Sequence, residues 1–232
     1  MGKYLVLLRK ELKNMYRELL LFLGFQIGYL VIVFMLRRFT GYEFPNRPSG
    51  FHKFIMDAFN FSPFLLPAIL VYSLYIEERT GTIYQACSLP LRRNLLRIKF
   101  LVVLGAMIAL AVVIITHTVI GFSMGHVHAT PEAAVSGILW FFTYPYISLC
   151  LVSVSWGCMQ LVQKNRLLVG LVAGIVGFGV YLWLSDVFWM YIKRNVLSPL
   201  NNGYFYVSVY TLVMGIVFAC TGFMLYERYS EV

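Results

Sequence analysis

Residues 100–122, FLVVLGAMIALAVVIITHTVIGF, contain no Asp, Glu, Lys or Arg. A helix that crosses the hydrocarbon core of a bilayer needs about 20 mostly apolar residues. This stretch meets that length without a charge to bury. Five further stretches read the same way: 19–36, 59–76, 136–162, 167–190 and 204–226. The composition supports the reading. Of 232 residues, 60% are hydrophobic and 12% charged, against about 45–50% and about 25% in soluble domains. A soluble chain of this size could not hide so much apolar surface. The expectation is an all-α polytopic membrane protein with six transmembrane helices, forming a single transmembrane domain over 1–232.

Local features refine the spans. Pro63 and Pro67 lie in the second, and Tyr144-Pro145-Tyr146 is a place where the fourth can bend. Prolines are tolerated in spanning helices and often kink them. Gly170 and Gly174 in the fifth form a GxxxG, which lets two helices approach closely. Asp186, toward the outer end of the fifth span, is able to pair with Lys193 or Arg194.

The N-terminus is too basic and the following run too long for a cleaved leader, because 19–36 ends at Arg37 and Arg38 rather than at small residues. Within 1–18, Leu5, Leu8, Leu12, Met15 and Leu19 recur at helical steps, and Arg9, Lys13 and Arg17 occupy another face. That pattern predicts an amphipathic helix in the membrane plane. A cytoplasmic extension of the first span is the alternative.

The net charge of +9 would point a soluble protein toward nucleic acid. Here the basic residues fall between apolar runs, so no nucleic-acid partner is expected. Thirteen of the 19 Lys and Arg lie in 1–18, 77–99, 164–166 and at Arg228. The excess on that side places both termini in the cytoplasm. The arginines at 37 and 38 oppose this, whereas the outer loop 122–135 has no Lys or Arg. Cys87, Cys150, Cys158 and Cys220 form no CxxC pair, which argues against a disulfide or metal framework. His126 and His128 with Glu132 are too few ligands for a metal centre.

The longest polar interruption on the cytoplasmic side is 77–99, EERTGTIYQACSLPLRRNLLRIK. Gly81 permits a sharp turn. Thr82 and Gln85 make a T-x-x-Q capping pattern, so 83–88 can form a short helix. Pro90 ends it by disfavouring helix at Leu89. A second helix can begin near Leu91 and run into the third span. The loop therefore presents a short helix just outside the membrane, a suitable handle for another protein.

The order Glu-x-x-x-Gly-Thr, an apolar turn, Ser-Leu-Pro-x-Arg-Arg and a basic run into a span resembles the permease subunits of ABC-2-type transporters. In that family the pattern also lies between the second and third spans, behind an N-terminal elbow helix. The architectural resemblance covers essentially the whole chain, and the motif covers 77–99. One departure is Lys99, which lacks the Gly that precedes it in many members.

The resemblance implies an ABC-2, type V exporter-like architecture: elbow 1–18, spans one and two over 19–76, a coupling loop 77–99, and spans three to six over 100–232, with a short re-entrant helix of the kind members often have over 182–203. It implies a permease without catalysis of its own, most members being exporters, with a hydrophobic or amphipathic cargo such as a peptide, lipid or antibiotic. It implies two cytoplasmic ABC ATPase subunits and a second permease, identical or paralogous, in a bacterial or archaeal cytoplasmic membrane. The coupling helix would be Thr82, Ile83, Tyr84 and Gln85 onward to 88, flanked by Glu77, Glu78, Gly81, Leu89, Pro90, Arg92 and Arg93. ATP and Mg would bind the partner, since this chain has no GxxxxGK[ST] loop and needs no cofactor.

Two polar residues at membrane depth, Gln26 and His117, are candidates for a transport pathway. Helix–helix hydrogen bonding would equally explain them. Two other classes of function compete. A stand-alone channel or secondary transporter would need charges within its spans, and these hold almost none. An intramembrane enzyme is disfavoured. Glu77-Glu78 resembles the EExxxR pattern of CAAX-type proteases, but Arg79 and Thr82 break it, and GxSxG and HExxH are absent.

Overall fold

A computed structural model describes residues 2–40, 62–80, 94–123, 131–162, 164–195 and 203–229. The described residues form six α-helices and no strand: α1 (Gly2–Thr40), α2 (Leu65–Thr80), α3 (Leu95–Ser123), α4 (Pro131–Met159), α5 (Arg166–Asn195) and α6 (Gly203–Tyr229). Five of them, all except α2, are long and apolar enough to cross a bilayer. Their lengths follow from the sequence: uninterrupted apolar runs satisfy their own backbone hydrogen bonds only as helices. Hydroxyls within them are also satisfied locally. Thr116 donates to the Val112 carbonyl and Thr143 to the Leu139 carbonyl, each at 2.8 Å.

The second span is shorter than expected. Its apolar portion is Leu65–Glu77, about 20 Å at 1.5 Å per residue, against a hydrocarbon core of about 30 Å. Pro63 sits in a 3-10 turn (Ser62–Phe64) ahead of α2, and Pro67 lies in the first helical turn. A proline there sacrifices no intrahelical bond, so the prolines start this helix rather than kink it. Residues 59–61 of the expected span lie outside the described residues.

The helix α1 runs unbroken through residues 18 and 19. Residues 2–18 are its first half, continuous with the apolar run that follows rather than a separate helix. Its buried stripe is Leu7, Glu11, Met15, Leu19, Phe22 and Gln26. Those steps of three and four continue across the expected break. Leu5, Leu8 and Leu12 of the expected stripe are exposed.

The tightest packing is between α4 and α6. Ser153-x-x-x-Gly157 on α4 faces Gly222 on α6. A Cβ added to Gly157 would lie 2.6 Å from the Gly222 carbonyl oxygen, and one on Gly222 would lie 2.6 Å from Val154 N. The absent side chains let the two backbones touch. Gly215 makes room for the Tyr146 ring, whose hydroxyl donates to the Leu212 carbonyl at 3.3 Å. On the other side of α4, the expected GxxxG acts as proposed: Gly170 and Gly174 of α5 pack on Met159 and Ser155. The Tyr181 and Thr211 hydroxyls join α5 to α6 at 2.8 Å, beside stacked Tyr181, Tyr210 and Phe188 rings.

The turn between α4 and α5 is short. Gln160 and Leu161 donate backbone bonds to the Gly157 and Cys158 carbonyls, so α4 ends at Met159 rather than at the expected 162. Asn165 takes a left-handed φ of 56°, a conformation asparagine tolerates better than most residues. Its carbonyl then accepts from Val169 at 3.1 Å. Further along α5, residues 182–195 of the expected re-entrant stretch 182–203 simply continue the helix, and 196–202 lie outside the described residues.

Candidate functional site

The end of α2 and the start of α3 gather against the first half of α1, and the C-terminal end of α6 meets the start of α3, so the two edges of the 81–93 loop and the C-terminal end of α6 share one end of the bundle. Arg97 of α3 pairs with Glu227 of α6 at 2.6 Å and lies 5.8 Å from the Phe223 ring centroid. Both partners are partly exposed, so this pair contributes at most about 1 kcal/mol.

A few residues away is a cluster of a different kind. On α2, Ser73 and Glu77 are one helical turn apart and share a face. On α1, Glu11 occupies the buried stripe between Leu7 and Met15. On α3, Lys99 lies one turn after Leu95. The Lys99 ammonium meets Glu11 Oε2 at 2.8 Å and Glu77 Oε1 at 3.1 Å, and it donates to Ser73 Oγ. Its three N–H donors therefore face three oxygens from two neighbouring helices. Side-chain exposure is 1% for Lys99, 1% for Glu11 and 15% for Glu77. Removing one member of such a buried group costs about 3–5 kcal/mol.

The cluster borders a cavity of about 490 Å³ between α1, α2 and the start of α3. Its other polar lining is Lys10, Asn14, Glu18 and Tyr72, and Leu7, Met15, Ile69, Ile76 and Leu95 supply apolar wall. Burial raises the Glu77 carboxyl above its ordinary range, while Lys99 opposes that shift and Glu11 adds to it.

Of the residues expected to couple to a partner, Glu77 is in this cluster. Glu78 is on the last turn of α2, with its side chain outside the described residues. Gly81, Thr82, Ile83, Tyr84, Gln85, Leu89, Pro90, Arg92 and Arg93 also lie outside them. Gln26 is fully buried on α1, and its amide has no hydrogen-bond partner among the described residues. His117 lines a separate groove of about 420 Å³ between α1 and α3, with Ile27, Leu30, Val31 and Val112. Gln26 is not among its lining residues. Asp186 is exposed on α5, and the Lys193 and Arg194 side chains are outside the described residues. His126 and His128 are outside them as well. Among the described residues no cluster of His, Cys, Asp or Glu could hold a metal.

Sequence reading did not find the roles of Glu11, Ser73 and Lys99. The available signal was Glu11 itself, an acid on a stripe of buried apolar residues at steps of four. No family model, curated protein or solved structure matches this chain. What its helices define is the class: a helical protein with the character of a membrane-embedded one.

Proposed function

We propose that this chain is the permease subunit of an ABC-2-type transporter, driven by a separate cytoplasmic ATPase. The observation that carries the reading is the 77–99 pattern, set between the second and third helices. Two further features support it. Glu77 and Lys99, the two ends of that pattern, meet Glu11 of the N-terminal helix in one buried cluster. Force applied to the loop would thus reach α1, α2 and α3 together, as a coupling element requires. In addition, the described basic residues at this end other than Lys99, among them Arg9, Lys13, Arg97, Lys164 and Arg166, are exposed, as expected of a cytoplasmic face. The first half of α1 takes the place of the family's elbow. The cargo is hydrophobic or amphipathic, and a second permease completes the assembly.

The test is coupling. Gly81→Val and the double variant Thr82→Ala, Gln85→Ala should leave ATPase activity in the assembled complex while transport falls. Unchanged transport per ATP hydrolysed in both variants would remove the basis of the proposal.

A second reading, a proton-driven secondary transporter, is favoured by the buried charges of Glu11, Glu77 and Lys99 beside a cavity. It predicts uptake or export by the purified chain alone in vesicles under a pH gradient.

A further inference from the structure

The charges in the α1–α2–α3 cluster do not balance. When all are ionised, Glu11 and Glu77 contribute two negative charges against one ammonium, and the pair contacts are 1%, 1% and 15% exposed. A buried unbalanced charge is expensive, and a carboxyl group relieves it by holding a proton. The three donors of the Lys99 ammonium are met by Glu11, Glu77 and Ser73. The other charged and titratable groups facing the cavity are Lys10 and Glu18 from α1 and Tyr72 from α2. Lys10 is exposed, so water screens it. Glu18 adds a further negative charge, and one of its oxygens is buried without a hydrogen-bond partner among the described residues.

We infer that Glu77, set against the buried Lys99–Glu11 pair, is a proton-binding site of this chain. Both carboxylates lie on one ammonium, at 2.8 and 3.1 Å, so ionising both leaves the buried group one negative charge in excess, and a proton on Glu77 removes it. The raised Glu77 carboxyl agrees in direction. Release of the proton leaves a net negative charge where α1 meets α2, and the adjoining cavity has room to admit water or a cation against it. The inference rests on neither functional reading, since this chain binds the proton whatever drives transport.

The experiment is a pH titration of the purified full chain in lipid nanodiscs, read by infrared difference spectroscopy of the protonated carboxyl stretch. The expected result is a carboxyl that releases its proton well above the ordinary glutamate value of about 4.3. Either E77Q or E11Q leaves a neutral ion pair with Lys99, so each should abolish that high-midpoint release. The E18Q variant should retain it. K99Q leaves two carboxylates without a cation and should raise the midpoint by at least about one pH unit, a tenfold tighter proton. If K99Q does not fold, the glutamine variants, which keep the side-chain shape, still decide the matter. A high-midpoint release that persists in E77Q or E11Q, that disappears in E18Q, or that is absent from the native chain would overturn the inference.

Discussion

Substituting Gly222 with Ala tests the packing that holds the helices together. The new Cβ would lie 2.6 Å from Val154 N, whereas ordinary contact begins near 3.4 Å. The neighbour is backbone and cannot rotate away, so α4 and α6 must separate locally by about 0.8 Å. A gap of that size forfeits a quarter to a half of each dispersion contact across it, and this is the most extensive helix pair in the chain. Overpacking of this kind costs about 1–3 kcal/mol, and the rigid neighbour places G222A at the upper end, near 3 kcal/mol. Gly105 provides the control, because an added Cβ there meets nothing within 4 Å. G105A should be neutral or stabilising by about 0.5–1 kcal/mol. Thermal unfolding in one detergent, followed by near-UV circular dichroism, compares the two. At about 2–4 °C per kcal/mol, G222A should melt roughly 6–12 °C below the native chain. Equal melting of G222A and G105A would refute the backbone contact between α4 and α6.

Three other outcomes follow from the same structure. Lys99→Met should lower stability by about 3–5 kcal/mol because it strands two buried carboxylates, and adding E11Q and E77Q should recover most of the loss in the same melting assay. Because burial raises Glu77 above its ordinary value of 4.5, the folded chain holds a proton that the unfolded chain has already released. Stability should therefore fall as pH rises from about 4.5 through the folded value, and E77Q should flatten that slope. In detergent, an apolar N-alkylmaleimide should label Cys220, which faces outward from α6, faster than Cys150, which is fully buried, with mass spectrometry locating the adduct.

The helices were legible where the sequence alone dictates them. Residues 100–122, 167–190 and 204–226 are apolar for a full membrane thickness, so no tertiary information was needed to place α3, α5 and α6. The GxxxG at Gly170 was legible for a similar reason, since small residues four apart mark a face. Its counterparts were not, because Ser153, Gly157 and Gly222 are distant in sequence and gain meaning only when α4 lies on α6. Near the N-terminus, charge misled. Basic residues at 9, 13 and 17 imply a surface helix, and continuity through residue 19 depends on a stripe that includes Glu11, a residue no hydrophobic pattern counts. Lys99 follows Arg92, Arg93 and Arg97 in sequence, so it reads as one more member of the basic run into the third span. Its burial comes from Glu11 and Glu77, which approach from two other helices.

Co-purification tests the central claim most directly: the chain, expressed with its neighbouring genes, is extracted in mild detergent and its partners are identified and counted. The account predicts recovery of an ATPase carrying a P-loop, two copies for every two permease chains. A chain that purifies without any ATPase, and that has none encoded beside it, would contradict the account.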